Sequence, residues 1–224
     1  MLNTRRGSML HLQRLAGEFF ARLEKLDQII AATVAAARCR HCEGPLHQGN
    51  YRRKPRGGLI AVAGEAFTRR HSLCCGRRGC RKRALPPSLR FLGRRVYMEA
   101  VVVLASVLAQ TMATLREAMA ASGVPWRTLR RWGSWWREVF PRLPTWVELR
   151  AHFVPPAPDE AVLPRSLVER LDADLRRSGG SGREASTGED VMLLSARCLA
   201  PATTGSVVEG SRFVTAAVLQ IATV

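Results

Sequence analysis

Apolar residues recur at three- and four-residue steps through Leu10, Leu12, Leu15, Phe19, Leu23, Leu26, Ile29, Ile30 and Val34, with charges between them. That spacing predicts an amphipathic helix over residues 8–37. Ser8 is placed to cap it, and Met9 is an alternative initiator. The helix either packs on its own chain or forms a dimer seam; without sustained heptads the first reading is preferred. From Leu46 the period shortens. Leu46 to Arg53 reads as an outgoing strand, Lys54-Pro55-Arg56-Gly57-Gly58 as a turn, and Phe67 to Cys74 as a returning strand.

Pro86 and Pro87 break the chain, and Arg90 to Arg95 connects to the next unit. A helical period then returns. Arg94 to Ala109 offers Val96, Tyr97, Ala100, Val101, Leu104, Val107 and Leu108 to a core. Thr114 with Glu117 three residues on has the form of a capping box for a helix ending at Ala121. Ser122-Gly123-Val124 turns, Pro125 suits a first helical position, and Trp126 to Val139 forms a third helix. Beyond Pro141, the prolines 144, 155, 156, 158 and 164 mark a linker. A short helix follows from Ser166 to Arg176, then a Gly/Ser-rich loop from Ser178 to Gly188, and apolar segments over 189–200 and 212–223. The expected fold is mainly α with a small β unit, in four parts: residues 8–37, 38–85, 90–140 and 141–224.

Charge narrows the choice of partner. The formal net charge is +17, with 28 Lys+Arg against 9 Asp+Glu in residues 1–150 and 7 against 9 in residues 151–224. A block of this kind suits a polyanion, with nucleic acid the first candidate and an anionic membrane the second. Nearly all the basic residues are Arg, whose planar fork fits phosphate and guanine edges; a GC-rich genome is the other source of such a bias. The most apolar window, Val96 to Ala113, contains Glu99 and Gln110 and is shorter than the ~20 clean residues a bilayer needs. No span and no membrane partner are expected. Charges at Glu18, Arg22, Glu24, Lys25 and Asp27 interrupt any signal-peptide core, so a cytoplasmic, nucleoid-associated protein with reduced or metal-bound thiols is expected.

The cysteines carry the candidate chemistry. Cys39-x-x-Cys42 followed by Gly44 forms one tight knuckle, and Cys75-Gly-Arg-Arg-Gly-Cys80 a second. Four thiolates from two knuckles suit structural Zn2+, which a small sheet needs in order to fold. The expected ligands are Cys39, Cys42, Cys75 and Cys80. Cys75 is preferred to Cys74 because it pairs with Cys80 around a loop carrying two glycines; Cys74 would be a buried neighbour. His41 and His71 are alternative ligands, read instead as surface or strand residues, and Cys198 as a buried thiol. Basic residues crowd the ribbon: Arg52, Arg53, Lys54 and Arg56 on the turn, Arg69 and Arg70 on the strand, then Arg77, Arg78, Arg81, Lys82 and Arg83. A polyanion would relieve their mutual repulsion. If the helices at 114–139 form a helix-turn-helix, Val124, Leu129 and Trp132 face inward, which leaves Trp126, Arg127, Arg130, Arg131 and Ser134 facing double-stranded DNA. Met119 and Ser122 depart from the usual small and apolar residues of such motifs. Trp132, Trp135, Trp136, Phe140 and Trp146 read as core.

The order of the two cysteine knuckles around a basic turn, then Gly-Val-Pro-Trp-Arg-Thr-Leu-Arg-Arg-Trp from Gly123 to Trp132, resembles the N-terminal zinc-ribbon and helix-turn-helix region of bacterial insertion-sequence transposases and their accessory proteins. The likeness covers residues 38–140. It implies binding to the terminal inverted repeats of a mobile element, with Arg127, Arg130 and Arg131 reading the ends and the four cysteines as structural ligands. In that family a separate ribonuclease-H-like domain cuts and joins strands with three acids on two metal ions. Here the carboxylates after residue 140 fall on helical or loop text, and there is too little chain for the sheet. The expectation is therefore a transposase-like or accessory DNA-binding protein, not itself an enzyme, whose C-terminal part holds a transposase or a second copy of the chain. A transcription regulator built from the same parts, or a fragment of a transposase whose acidic catalytic domain is missing, are the alternatives.

Overall fold

The computed structural model describes residues 17–56, 64–92, 97–153, 157–178 and 188–203. It is mostly helical, with a small antiparallel sheet. Helix α1 (Gly17–Ala36) buries Phe19, Phe20, Leu23 and Asp27 against its own chain and leaves Ile29 exposed. Residues 8–16, where that helix was expected to begin, lie outside the described residues.

The strands form a broken hairpin. β1 (Leu46–Gln48) pairs with β4 (Leu73–Cys75), and β2 (Tyr51–Arg52) with β3 (Arg69–Arg70), both antiparallel. Each of the two long strands expected from the sequence is interrupted, at Gly49-Asn50 and at His71-Ser72. The break is bridged without a slip in register: the Gly49 amide donates to the Ser72 carbonyl at 2.7 Å, and the Ser72 amide to Asn50 Oδ1 at 3.0 Å. A side chain here takes the place of a ladder partner, which satisfies the backbone while the hairpin bends. A third strand, β5 (Arg83–Ala84), adds to β4. The expected Gly57-Gly58 turn lies outside the described residues.

Helix α2 (Glu99–Thr111) is the centre of the body, with every residue from Glu99 to Val107 buried. A helix apolar on all sides must be surrounded, and α2 packs against α3 (Leu115–Ser122), α4 (Trp126–Ser134), α6 (Arg165–Ser178) and α7 (Gly188–Leu199). It starts later than the sequence pattern suggested: Tyr97 and Met98 make isolated β-bridges to Arg56 and Phe91. No helix among the described residues is long and apolar enough to cross a membrane. The aromatic cluster is core, as expected. Trp136 donates to Ser106 Oγ at 3.0 Å, and Trp146 to Glu160 Oε1 at 2.8 Å, so these two buried indole N–H groups have acceptors.

One expectation needs correction. The proline-rich stretch after residue 141 is not an open linker: Pro144 opens helix α5 (Pro144–Arg150), which buries Thr145, Trp146 and Leu149, and Pro158 and Pro164 are themselves buried. Proline suits a first helical turn because its missing N–H would have had no partner there. The described part of the connector after Pro86-Pro87, through Leu92, is buried as well, and residues 93–96 lie outside the described residues. Leu89 and Leu92 join the same core as α1 and α2, Phe91 is buried beside Phe67, and Arg90 is 1 % exposed.

Arg90 is the hub of a buried polar network that the sequence pattern does not reveal. Its Nε donates to Asp27 Oδ2 at 2.8 Å, its Nη2 to the Arg69 carbonyl at 2.9 Å, and its Nη1 pairs with Glu24. Asp27, wholly buried, also accepts from Ser88 Oγ and the Leu89 amide, each at 2.7 Å. His71 Nε2 donates to Glu24 Oε1 at 3.3 Å, and the Ser88 amide donates to Thr203 Oγ1 at 2.9 Å. Helix α1, the hairpin, the connector and the turn after α7 are thus tied at one point.

Burial works against the charged form of Glu24, but the His71 bond and the Arg90 charge outweigh it and hold the carboxyl below its ordinary value of 4.5. A folded-state pKa below the unfolded one contributes stability that is present above about pH 4.5 and is lost as pH falls through the lowered value. We expect acid unfolding midpoints of a Glu24→Gln variant to depend less on pH in that window than those of the parent. Equal pH slopes would show that the ion pair does not couple to folding.

Candidate metal centre and basic surface

Each knuckle is built from its own backbone. In the first, the Cys39 carbonyl accepts from the Cys42 amide at 3.3 Å and the Glu43 amide at 2.7 Å, and the Cys39 amide donates to the Gly44 carbonyl at 3.0 Å. Glu43 adopts a left-handed φ of 57° to close this turn. In the second, the Cys75 amide donates to Lys82 O at 2.9 Å and the Cys80 amide to Arg77 O at 3.2 Å, with Gly79 at a φ of 85°. The Gly76 amide donates to Pro45 O at 2.9 Å and so clips one knuckle to the other.

The four sulfurs of Cys39, Cys42, Cys75 and Cys80 all lie within 4.8 Å of one another. Cys39 and Cys80 are 3.8 Å apart, Cys42 and Cys75 3.5 Å, and all four are free thiols. A tetrahedral ion with bonds of ~2.3 Å to sulfur would set edges of about 3.8 Å, so the donor set fits a metal of that kind. Backbone amides point at two of the sulfurs, and the four thiols divide: the Arg77 bond lowers Cys75, but burial and the neighbouring thiols outweigh it and push Cys75 up to about 12, whereas Cys42 is lowered. The Arg77 amide donates to Cys75 Sγ at 3.4 Å, and the Gly44 amide, the largest influence on Cys42, helps bring that thiol down to about 7. A Cβ added at Gly44 would stand 3.1 Å from Cys75 Sγ and 3.3 Å from Cys42 Sγ, which leaves glycine the residue that fits between them.

Cys75, not Cys74, joins the cluster, as its spacing to Cys80 implied. Cys74 is half-buried and turns toward the Arg81 carbonyl. Neither histidine takes part: His41 is exposed and accepts from Arg40 Nε, and His71 is committed to Glu24. Cys198 is buried in α7, where burial pushes its thiol up to about 12.

The basic residues separate into groups. At the turn end of the hairpin Arg52, Lys54 and Arg56 are exposed, whereas the half-buried Arg53 lies with its guanidinium 5.0 Å over the Phe91 ring. Arg70, expected on a basic strand face, is 1 % exposed; its guanidinium donates to the carbonyls of His71 and Pro86, and burial pulls it down to about 10. At the knuckle end Arg77, Arg78 and Arg81 are exposed, and Arg77 Nη1 donates to Cys42 O at 3.0 Å. Seven residue steps, from the Leu46–Cys75 pair to the Arg53–Thr68 bond, separate the two ends, or ~23 Å at about 3.3 Å per residue.

Helices α3 and α4 form the second candidate surface. Thr114 Oγ1 accepts from the Glu117 amide at 3.2 Å and Glu117 Oε2 from the Thr114 amide at 3.3 Å, the expected capping box. Gly123 turns with a φ of 66°, and Pro125 stands one position before the first turn of α4. Val124, Leu129 and Trp132 are buried, as the pattern required. Ser122 occupies an apolar position by hydrogen bonding inward: its Oγ donates to Ala118 O at 2.6 Å and accepts from the Val124 amide at 3.3 Å. Ala118 is fully buried, and Met119 lies half-buried beside it.

On the outer side of α4, Trp126, Arg127, Arg130 and Arg131 are exposed, and Ser134 is half-buried. Tyr97 joins this surface to the hairpin. Its backbone bridges Arg56, and its ring meets the buried Trp132 of α4 edge-on at 5.0 Å, so Tyr97 contacts both the hairpin and α4.

No protein-family model, curated protein or solved structure matches this chain.

Proposed function

We propose that this chain is a zinc-held, sequence-specific DNA-binding protein of a mobile element, acting at the element's ends without a catalytic domain of its own. The observation that carries the reading is the set of exposed arginines on α4, Arg127, Arg130 and Arg131, on a helix whose buried Trp132 meets Tyr97 in the same core that Tyr97 joins to the hairpin with its exposed Arg52, Lys54 and Arg56. Base-reading groups and phosphate-neutralising groups are then presented together by one packed core. Helices α3 and α4 serve as a helix-turn-helix, with Arg127, Arg130 and Arg131 in the major groove. The hairpin serves as a zinc ribbon: Cys39, Cys42, Cys75 and Cys80 would hold the ion, which supplies folding free energy when bound. The association with element ends rests on the likeness of residues 38–140 to transposase N-terminal regions. Several carboxylates after residue 140 are engaged by arginines, as in Glu160 with Arg150, Asp172 with Arg176, and Asp174 with Arg170. This supports a scaffolding use for them.

The test is selection of bound sequences from random duplex DNA by the zinc-loaded protein at near-physiological salt. The expected result is a defined motif that recurs in inverted repeats flanking the gene. A motif found only at promoters would indicate a transcription regulator, and affinity that tracks ionic strength alone would overturn sequence-specific binding. On the selected site, Arg131→Ala should relax base preference by about 1–3 kcal/mol. Arg78→Ala and Arg81→Ala should leave preference unchanged and each lower the slope of log K against log salt by about 1.

A further inference from the structure

Arg127, Arg130 and Arg131 carry no ion pair among the described residues, and no acidic residue occurs between Glu117 and Glu138. Two of these guanidiniums nevertheless have a fixed support. Arg127 and Arg130 each lie 5.5 Å from the centre of the Trp126 ring. Trp126 is 42 % exposed, a high value for the largest apolar side chain, in a chain that buries Trp132, Trp136 and Trp146 almost completely. It is the first residue of α4, directly after Pro125, whose φ of −60° fixes the approach of the chain. An indole face attracts guanidinium groups and restrains their rotamers, and an arginine held in place loses less freedom when it forms two hydrogen bonds to a base.

From this arrangement we infer that Trp126 is a specificity-determining residue that positions Arg127 and Arg130 to read two guanines lying within one or two base-pair steps of each other. The spacing follows from helix geometry. Residues three apart are separated by ~4.5 Å along the axis at about 1.5 Å per residue, and successive bases by ~3.4 Å. Each fork meets guanine O6 and N7, the pairing arginine makes best. This inference rests on the DNA-binding reading above and adds to it the base chemistry of the target and a role for an exposed tryptophan.

The experiment uses the full-length zinc-loaded protein and the motif selected by the parent. Replacing either guanine by 7-deazaguanine removes N7 without altering pairing, and parent affinity should fall about ten- to hundredfold at each position. Trp126→Ala should cut that discrimination by about tenfold while metal content and melting temperature stay at parent values, because the ring is exposed. Trp126→Phe, which keeps an aromatic face, should restore most of it. A parent motif without a close guanine pair overturns this inference alone. So does a Trp126→Ala protein that discriminates against 7-deazaguanine as well as the parent does. If the parent selects no motif at all, the DNA-binding reading falls and this inference with it.

Discussion

Cys42→Ser protein should lose metal binding and cooperative melting together, if the four cysteines hold the ion proposed above. A serine hydroxyl does not ionise near neutral pH, so the substitution removes one of four thiolates that lie within 4.8 Å of one another. Metal binding to sites of this class is worth about 10–16 kcal/mol of apparent free energy. The hairpin it closes has strands of only two or three residues, which bury too little apolar surface to fold unaided. Loss of the ion therefore exceeds what the strands can offset. Metal analysis of the purified variant should show less than one equivalent of zinc, and calorimetry a transition that is broadened and lowered by tens of degrees. Cys74→Ser, which alters a thiol outside the cluster, should keep both properties. Unchanged melting of the Cys42 variant would remove any structural role for the site.

Asp27→Ala should cost about 3–5 kcal/mol, the penalty for leaving a buried charge without its partner. Asp27 and the side chain of Arg90 are wholly buried, and the same carboxylate holds Ser88 Oγ and the Leu89 amide. Removing it strands a guanidinium and two donors in the core at once, and water cannot reach them without opening the contact between α1 and the connector. Urea denaturation should report the loss as a lower midpoint with little change in slope. Asp27→Asn, which keeps an acceptor but not the charge, should fall between the two. A loss below about 1 kcal/mol for the alanine variant would mean that Arg90 finds a replacement partner in Glu24 alone.

What the sequence made legible was local. The capping box at Thr114 and Glu117, the turn at Gly123, the inward set Val124, Leu129 and Trp132, and the choice of Cys75 over Cys74 each depend on residues within a few positions of one another. Their physics is backbone geometry and helical phase, which a pattern records directly. The network around Arg90 was not legible, because its bonded members lie 21 to 115 residues apart, except for the short links around Ser88, and nothing local requires them to meet. One signal was present. Phe20, Leu23 and Asp27 fall at positions i, i+3 and i+7 of α1, so Asp27 stands in phase with the buried stripe, and a carboxylate there demands a buried partner. The proline-rich stretch was misread, and the burial of the connector passed unseen, for a related reason. Charge and proline count say where a chain is interrupted, but burial depends on what returns to cover it, here α1 for Arg90 and Phe140 for Trp146. Arg70 shows the same limit from the opposite side: as one of many arginines it looked like surface, and two carbonyl acceptors made it core.

The Ser88–Thr203 bond also sets an order of events during synthesis. The cysteine hairpin closes across 41 residues, and its four sulfurs and the bonds that shape its knuckles all lie within residues 39–82. The knot at Ser88 waits for a residue 115 positions later, which at about 5–20 residues per second is a delay of roughly 6 to 23 seconds. During that interval α2 has emerged with an apolar surface on every side, and α6 and α7, which complete its covering, have not. The nascent chain is thus a finished cysteine hairpin tethered to an unfinished core, and chaperone occupancy on the ribosome should be greatest after α2 appears and end when α7 docks.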